Sequence, residues 1–333
     1  MRTRTLGGAN AAISEIGFGA WGIGGRTPGA SSYGDADDDQ SRRALRTAFE
    51  LGCNFFDTSN VYGDGHSETL IGEVFADDRD DVFIATKAGL IEYDAPLDFT
   101  ADGLRRSLEG SLERLAMDRV DLLQLHNPDP ADPALDAAFA ALEGFRAEGM
   151  IGHFGASLRA PEDGIKLIER YAVSAVQTNL NLLDQRALDS GLLDRAKEQV
   201  VGVIIRTPLC FGFLSGEIDA EMTFPPGDHR NRWPRQQIRE WVRGSRLFAE
   251  SVAGDGGQTP VQAALRFCLS HAGVTAVIPG IMSEAEAREN CAAGDLGPLS
   301  AEEFERARAL YAGDSFFVAA VSQLLIDGET RNG

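Results

Sequence analysis

The chain has 333 residues, of which 43% are apolar and 8% aromatic, enough to bury one large core. Its 51 acidic side chains outnumber the 31 basic ones and give a net charge of −20, which repels nucleic acid and anionic membrane surfaces. No apolar run has the length of a signal segment or a membrane span, and the four cysteines form no CxxC pair. We therefore expect a single cytoplasmic domain spanning residues 1–333, with no metal, nucleic-acid or membrane partner.

Short β-branched or aromatic runs alternate with longer amphipathic segments along nearly the whole chain. Eight runs are predicted as strands: Ile16–Ile23, Asn54–Ser59, Val82–Thr86, Asp121–His126, Gly152–Ser157, Ala175–Asn179, Val201–Arg206 and Thr275–Pro279. The segments between them are predicted as helices: Gln40–Leu51, Ser67–Phe75, Ala101–Leu115, Ala134–Glu148, Glu162–Tyr171, Gly191–Gln199 and Pro260–Ser270. Eight strand–helix repeats predict an α/β fold, a (β/α)8 TIM barrel of eight parallel strands, rather than a doubly wound sheet.

Three segments lie outside the repeat. Arg2–Ser14 is predicted to form an N-terminal hairpin that caps the bottom of the barrel. Phe211–Arg239 is a long irregular loop after the seventh strand, on the side where substrate loops occur. The third segment is the tail after Leu299.

The segment Gly17–Gly22 has the spacing G-x-G-x-x-G of a dinucleotide fingerprint. Such a fingerprint needs a helix whose N-terminal amides face the pyrophosphate, whereas the residues that follow here, GGRTPGASSYG, break helices. The glycines are therefore interpreted as a close-approach turn at the top of the first strand, and a Rossmann site is not predicted.

Four polar side chains follow three consecutive predicted strands. Asp57 and Tyr62 come after the second strand, Lys87 ends the third and His126 ends the fourth. Because the carboxyl ends of barrel strands converge on one mouth, we expect the four side chains to lie together. Taken singly, each has an ordinary structural interpretation as an ion pair, a core imidazole or a turn cap. Their joint occurrence, with Gly63 after Tyr62, favours a catalytic group.

The four residue types suit the reduction of a carbonyl group. A charged lysine beside a phenol favours the phenolate, so we expect Lys87 to lower the pKa of Tyr62 from about 10 toward neutrality. A tyrosine tuned in this way is a general acid for a carbonyl oxygen whose carbon receives a hydride. A neutral His126 beside it would orient that oxygen and stabilise its growing charge.

From about Ile16 to Asn290 the sequence resembles the aldo-keto reductase family. The resemblance rests on successive motifs in the family's order: GFGAWGIGG, FFDTSNVYGDGHSETLIGE, IATKAG, LLQLHNPDP, GHFGAS, VQTNLNLLDQ and VIPGIMSEAEAREN. It implies that Asp57, Tyr62, Lys87 and His126 form the catalytic tetrad, with Tyr62 as proton donor and a nicotinamide as hydride donor.

The resemblance also implies a binding site for NAD(P)H, with NADP(H) usual for the family. Ser157 and Gln177 would hold the nicotinamide carboxamide, and the backbone of Pro208–Gly216 would lie along the pyrophosphate. The complete implied set is Trp21, Ser157, Gln177, Arg206, Thr207, Pro208, Leu209, Gly212, Leu214, Gly216, Gly280, Met282, Glu286, Glu289 and Asn290.

Two positions near the nicotinamide depart from the family. Leu158 stands where the family often has a second amide-bearing residue, and Arg206 replaces an aromatic side chain that stacks on the nicotinamide. The planar guanidinium of Arg206 can still stack. The alternative is that Arg206 points to the mouth and pairs with an anionic group of the substrate.

Two further departures concern the choice between NADH and NADPH. Many relatives carry a basic residue at the position of Met282, and arginine or glutamine at that of Glu286, to receive the 2′-phosphate or adenine. A carboxylate repels a phosphate but accepts a hydrogen bond from a free ribose hydroxyl, so Met282 and Glu286 favour NAD(H). Arg288 would restore NADPH binding if its helix turned it inward.

The substrate is a small molecule with a carbonyl group or a sugar. Trp21, Tyr93 and Trp233 are candidates to line an apolar or sugar-stacking mouth, although loop packing explains them equally well. The polar run His229–Arg232 beside Trp233 would suit a polyol or a phosphorylated sugar.

The leading hypothesis is an NAD(P)H-dependent oxidoreductase that reduces an aldehyde, ketone or sugar carbonyl to the alcohol. One alternative is an NAD-dependent sugar or alcohol dehydrogenase that works in the reverse direction, with Tyr62 as base. Another is a nucleotide-sensing regulatory subunit on the same barrel, for which Tyr62→Phe would barely affect turnover. A lyase with Lys87 as Schiff base is disfavoured because an ammonium paired with Asp57 is a poor nucleophile. The sequence makes no prediction of the oligomeric state.

Overall fold

The computed structural model describes residues 1–27, 32–93, 95–253, 257–319 and 321. In that part of the chain lie ten strands, numbered in order: β1 Thr3–Leu6, β2 Ala11–Ser14, β3 Phe18–Gly19, β4 Phe55–Asp57, β5 Phe83–Ala88, β6 Val120–His126, β7 Ile151–Ser157, β8 Ala175–Asn179, β9 Gly202–Arg206 and β10 Ala276–Ile278.

The strands β3 to β10 form one parallel sheet in which each strand pairs with the next along the chain. Parallel bridges join Ile16 to Val277 and Gly19 to Gly280, so the first strand also meets the last. The predicted eight-stranded (β/α)8 TIM barrel is confirmed. The strands β1 and β2 pair antiparallel, with Thr3 opposite Ser14, and form the predicted N-terminal hairpin.

The glycines of the G-x-G-x-x-G segment serve the seam where the barrel closes. A Cβ on Gly19 would lie 2.7 Å from the carbonyl oxygen of Ile278, and one on Gly17 would lie 2.6 Å from the Phe55 ring. The predicted strand Ile16–Ile23 is longer than the observed β3, because the chain turns into a short 3-10 helix at Gly22–Gly24. As expected, no α-helix opens at this motif.

Eleven α-helices lie in the described residues: α1 Asp38–Glu50, α2 His66–Val74, α3 Ala101–Leu115, α4 Leu135–Ala147, α5 Pro161–Arg170, α6 Arg186–Asp189, α7 Leu192–Glu198, α8 Arg235–Phe248, α9 Pro260–Leu269, α10 Glu284–Leu296 and α11 Ala301–Ala312. The α1 and α9 helices begin at side-chain caps from Asp37 and Thr259, which satisfy otherwise unpaired backbone N–H groups. No helix in the described ranges is long and apolar enough to span a membrane.

The segment Phe211–Arg239 is more regular than predicted. It contains most of the 3-10 helix Cys210–Ser215 and all of the 3-10 helix His229–Arg232, and the helix α8 begins at Arg235. The helix α8 buries Ile238, Trp241, Val242 and Phe248 at helical spacing. Of these four, only Ile238 lies in the segment predicted as a loop, and no element was predicted between Arg239 and Pro260.

The described residues form two large apolar cores, besides a small cluster of Val61, Leu90 and Tyr93 next to Tyr62. The larger lies between the sheet and the surrounding helices. The smaller fills the lower barrel interior, and we call it the floor; it comprises Leu6, Ile13, Phe55, Phe83, Ala85, Leu122, Ala175, Ile204, Ala276 and Ile278. Because Leu6 and Ile13 come from the hairpin and are fully buried, the hairpin caps the barrel from below. The upper interior is left for polar side chains.

Candidate functional site

The four side chains expected at the mouth lie together at the carboxyl ends of β4, β5 and β6. The Lys87 ammonium donates to Asp57 Oδ1 at 2.5 Å, to the carbonyl oxygen of Thr58 at 2.8 Å and to the Tyr62 hydroxyl at 3.2 Å. The side chains of Lys87 and Asp57 are only 1% and 2% exposed, so this is a buried ion pair. Tyr62 is thus connected to a buried charge through one hydrogen bond.

Tyr62 is positioned by a tight turn. Gly63 has φ +63°, and a Cβ there would lie 1.9 Å from the carbonyl oxygen of Gly24. Only glycine permits this contact between the turn and the 3-10 helix Gly22–Gly24. The Tyr62 ring also lies near Trp21, with ring centroids 6.4 Å apart, and packs with Tyr93.

The predicted lowering of the Tyr62 pKa is wrong in direction. Burial raises the pKa of Tyr62 well above the usual tyrosine value, and the nearby Asp57 carboxylate adds to this effect. Burial also lowers the pKa of Lys87, against the opposing effect of Asp57. The prediction rested on the charge of Lys87 and left out two effects that act the other way, the burial of the phenol and the repulsion of a phenolate by Asp57. Tyr62 therefore remains protonated at neutral pH.

His126 ends β6 and is 3% exposed. Burial lowers the pKa of His126 well below its ordinary value, and the positive charges of Lys87 and Arg206 act in the same direction. Its Nδ1 lies 3.5 Å from the Ser59 hydroxyl. The imidazole is neutral at neutral pH, as the sequence argument required.

Two glutamine side chains complete the surroundings of Asp57. Gln124 and Gln177 donate to Asp57 Oδ2 at 2.9 and 2.8 Å, and Gln177 also donates to the Gln124 side-chain oxygen at 3.2 Å. Gln124 was not predicted as a site residue. The alternation of side chains along a strand could have found it, since it lies two residues before His126 on β6.

A cleft of about 660 Å³ opens beside this group, a size usual for small-molecule and cofactor sites. Asp57 and Tyr62 lie in its wall. Of the residues implied for cofactor binding, the following line it: Trp21, Gln177, Arg206, Thr207, Pro208, Leu209, Gly212, Gly280, Met282, Glu286, Glu289 and Asn290. Residues far apart in the chain are thus brought to one cleft.

Three of the implied cofactor residues do not line the cleft. Ser157 lies behind its wall and donates to the side-chain oxygen of Gln177 at 3.4 Å. Leu214 is 2% exposed and belongs to the core, and Gly216 lies between lining residues without lining the cleft itself.

The candidate substrate aromatics have different positions. Trp21 lines the cleft, whereas Tyr93 is buried beside Tyr62 and forms a hydrogen bond with Trp21. Trp233 lies outside the lining residues, because its ring packs on Phe211 and on the buried Trp241, with centroids 6.0 and 5.0 Å apart. Trp233 supports the cleft wall from behind.

Arg230 also lines the cleft, a position that the sequence could not fix. Asp228 accepts hydrogen bonds from its Nε and Nη2, at distances between 2.6 and 3.2 Å. Its Nη1 lies 3.7 Å from the point where a Cβ on Gly212 would stand. The guanidinium also lies over the ring of Tyr33, another lining residue without a signal in the sequence.

At the far end of the cleft, Glu286 caps its own helix. Its carboxylate accepts from the backbone N–H groups of Met282 and Ser283 at 2.6 and 3.0 Å. The Ser283 hydroxyl in return accepts from the Glu286 N–H, which makes a capping box at the start of α10. Arg288 is exposed and is not a lining residue, so the helix does not turn it inward.

Arg206 lies in the cleft wall beside Asp57, Tyr62 and Gln177. Its Nη2 donates to the carbonyl oxygen of Leu158 at 2.7 Å, which holds the guanidinium across the end of β8, between β9 and the residue after β7. Burial lowers the pKa of Arg206 below the usual arginine value, and the negative charge of Asp57 opposes this shift.

Comparison with known proteins agrees with this geometry. The model of the Aldo/keto reductase family matches residues 15–312. L-galactose dehydrogenase of Arabidopsis thaliana is 30% identical over 87% of both chains, and the Schizosaccharomyces pombe aldo-keto reductase yakc [NADP(+)] is 29% identical over 84% of this chain and 82% of its own. The structure of the glycerol dehydrogenase AKR11B4 from Gluconobacter oxydans has a TM-score of 0.79 at 26% identity and covers 95% of this chain and 99% of its own. The chain belongs to the aldo/keto reductase family.

Proposed function

We propose that this oxidoreductase interconverts a carbonyl group and an alcohol on a small polyhydroxylated molecule, with NADH as its preferred reductant. The observation that carries the proposal is the hydrogen-bonded chain from Tyr62 through Lys87 to Asp57 in the wall of the cleft. In such a chain the Lys87 ammonium can stabilise the negative charge that forms on Tyr62 when the phenol gives up its proton.

The cleft suits an extended anionic dinucleotide. The side-chain oxygen of Gln177 can accept from the nicotinamide carboxamide, because its amide nitrogen is already held by Asp57 and Gln124. Arg230 beside Gly212 offers the positive charge that a pyrophosphate needs. When bound, the cofactor supplies the hydride.

The chain's own residues supply the proton. Tyr62 is protonated because burial raises its pKa, and it can donate to a carbonyl oxygen as negative charge develops there. As the phenol loses its proton, the Lys87 ammonium at 3.2 Å stabilises the phenolate. Asp57 holds Lys87 in place and keeps it charged against the cost of burial.

His126 would orient the substrate. A neutral imidazole can donate one hydrogen bond to the carbonyl oxygen without competing with Tyr62 for the proton. Burial lowers the pKa of His126 and keeps it neutral, and the positive charges of Lys87 and Arg206 add to this effect. The same two charges favour negative charge on that oxygen.

A polyhydroxylated substrate is supported from two directions. Trp21 in the cleft wall offers a ring on which the C–H face of a sugar can pack. Two of the relatives are named for polyhydroxylated compounds, L-galactose and glycerol. Arg206 adds a positive charge that would tolerate an acidic group on the substrate.

The preference for NADH follows from Glu286. Its carboxylate occupies the backbone N–H groups of Met282 and Ser283, which would otherwise attract a phosphate at the start of a helix. A 2′-phosphate near this carboxylate would be repelled, whereas a ribose hydroxyl can donate to it. The name of the fission yeast relative specifies NADP(+), so the preference is proposed for this chain alone.

The test is a steady-state assay of nicotinamide absorbance with NADH and with NADPH. The panel pairs each hydroxylated aldehyde with its deoxy analogue, such as glyceraldehyde with propanal. We expect kcat/KM to be higher with NADH than with NADPH and higher for each hydroxylated member. Equal values across the pairs would contradict the substrate class, and a tenfold tighter binding of NADPH would contradict the cofactor preference.

A further inference from the structure

Gln124 occupies the centre of the polar upper barrel without touching the cleft. It lies on β6, paired with Lys87 on one side and with Gly155 on the other, and it is fully buried. The interior positions below it on the same strands are apolar and belong to the floor, Leu122 of β6 among them. Burying a polar group at such a position is costly unless its hydrogen bonds are made.

The contacts of Gln124 connect two parts of the proposed site. Its nitrogen donates to Asp57 Oδ2 at 2.9 Å and its oxygen accepts from Gln177 at 3.2 Å. Gln177 donates in addition to the same Asp57 oxygen at 2.8 Å. The three side chains therefore form a closed triangle of hydrogen bonds, in which Lys87 binds the remaining Asp57 oxygen.

Each bond of the triangle fixes the orientation of a neighbour. With Oδ2 held by two amides, the Asp57 carboxylate presents Oδ1 to Lys87 and cannot rotate away. With its nitrogen held by Asp57 and Gln124, Gln177 must turn its oxygen toward Ser157 and the cleft. The glutamine at position 124 provides one donor and one acceptor, which no apolar side chain can replace.

We propose that Gln124 is a positioning residue that couples the Asp57–Lys87 ion pair to the cofactor-facing amide of Gln177. It fixes the orientation of the Asp57 carboxylate, which pairs with the lysine beside Tyr62. Through Gln177 it also fixes the amide oxygen that a nicotinamide carboxamide would contact. The proposal rests on the function proposed above, since it assigns Gln124 a part in that reaction.

The test compares Gln124→Met, which keeps the volume and removes both hydrogen bonds, with Gln124→Glu, which keeps the shape. For Gln124→Met we expect kcat to fall by about 10- to 100-fold, as for a lost hydrogen bond to a charged group. We also expect weaker binding of NADH in the absence of substrate, measured by quenching of protein fluorescence. A purely structural role would change the melting temperature without changing either quantity in the folded protein.

Gln124→Glu gives a pH signature. The introduced carboxyl would stand about as close to Asp57 as the amide does, and two adjacent carboxyls share one proton until the pH exceeds a strongly raised pKa. While that proton is held, the variant can still donate to Asp57, so we expect activity near that of the wild type at acidic pH. The activity should then fall as the pH rises, in a range where the wild type stays constant.

A matched control is Gln237→Met. Gln237 is also fully buried and makes one donor and one acceptor hydrogen bond, to the backbone of Phe316 and Val318. We expect the Gln237→Met variant to be less stable than the wild type, while its kcat, NADH binding and pH profile stay unchanged. The proposal is overturned if Gln124→Glu keeps the wild-type pH profile, or if folded Gln124→Met keeps the wild-type kcat and NADH affinity. Inactivity of the wild type toward all carbonyls would instead contradict the proposed function.

Discussion

The floor and the mouth of the barrel interior are built by the same strands from opposite kinds of side chain. On β4 the floor residue Phe55 lies two positions before Asp57, and on β5 Ala85 lies two positions before Lys87. Two residues along a strand return the side chain to the same face, so the interior changes from hydrocarbon to charge within one such step. The floor can stabilise the fold through burial alone, whereas the mouth must satisfy every polar atom.

The largest effect is expected where the mouth loses its charge. Lys87→Met should lower kcat by about 10²- to 10⁴-fold, because the Tyr62 phenolate then loses the ammonium that donates a hydrogen bond to it. The single variant also leaves Asp57 buried without its ion-pair partner, which costs about 3–5 kcal/mol of stability.

The double variant Asp57→Asn with Lys87→Met separates the two effects. Since both charges are removed, thermal unfolding should occur at or near the wild-type temperature while activity stays absent. Recovery of activity together with stability would show that the ion pair is only structural.

The floor should respond in the opposite way. Phe55→Ala removes a fully buried ring from the lower interior and should cost about 3–5 kcal/mol in chemical denaturation. The kcat of the folded protein should be unchanged, because the Phe55 ring belongs to the floor and takes no part in the hydrogen bonds that join Asp57, Lys87 and Tyr62. A large fall in kcat at full folding would show that floor and mouth are coupled.

Acidification should weaken the mouth through His126. Its pKa is lowered in the folded state, so below about pH 6.5 the unfolded chain binds a proton that the folded chain does not. Stability therefore falls with decreasing pH, by about 1.4 kcal/mol per pH unit for one such group. His229, whose pKa is lowered to about 4 by burial, adds to the fall in the same direction.

The measurement is the free energy of unfolding from pH 7 to pH 5 in the wild type and in His126→Gln. We expect a shallower fall in the variant, because one of the protons taken up on unfolding is removed while His229 remains. Equal slopes would mean that His126 is already protonated in the folded protein.

The smallest effect is expected at the outer end of the cleft. Glu286→Gln keeps a residue suited to the capping box with Ser283 and removes the charge, so α10 should remain intact. Removing a repulsion of about 1 kcal/mol between Glu286 and the 2′-phosphate should lower the Kd of NADPH roughly fivefold relative to that of NADH. An unchanged ratio would show that Glu286 does not select the cofactor.

Patterns that depend on one strand were predictable, and those that depend on tertiary contacts were not. The positions of Asp57, Lys87 and His126 follow from strand ends converging at a barrel mouth. The direction of the shift in the Tyr62 pKa could not be predicted, because desolvation depends on how completely the surrounding residues cover the ring. The position of Arg230 was not predictable, since its approach to Gly212 depends on how the long segment Phe211–Arg239 folds back on itself.

The glycine motif Gly17–Gly22 was interpreted correctly in one respect and not predicted in another. Gly17 and Gly19 match a phosphate-binding fingerprint in spacing, yet their missing Cβ atoms serve the seam with Ile278. The sequence excluded the fingerprint correctly from the residues that follow, because they cannot start a helix. It could not supply the seam, which involves a strand about 260 residues further along the chain.

We propose that Tyr62 donates the proton of a carbonyl reduction. The decisive measurement is the rate of NADH oxidation in a single turnover of wild type and Tyr62→Phe, with NADH binding measured separately. We expect equal NADH affinity and a rate lowered by about 10²- to 10⁴-fold, because the ring stays and only the proton is lost. If Tyr62→Phe oxidises NADH at the wild-type rate, another group supplies the proton.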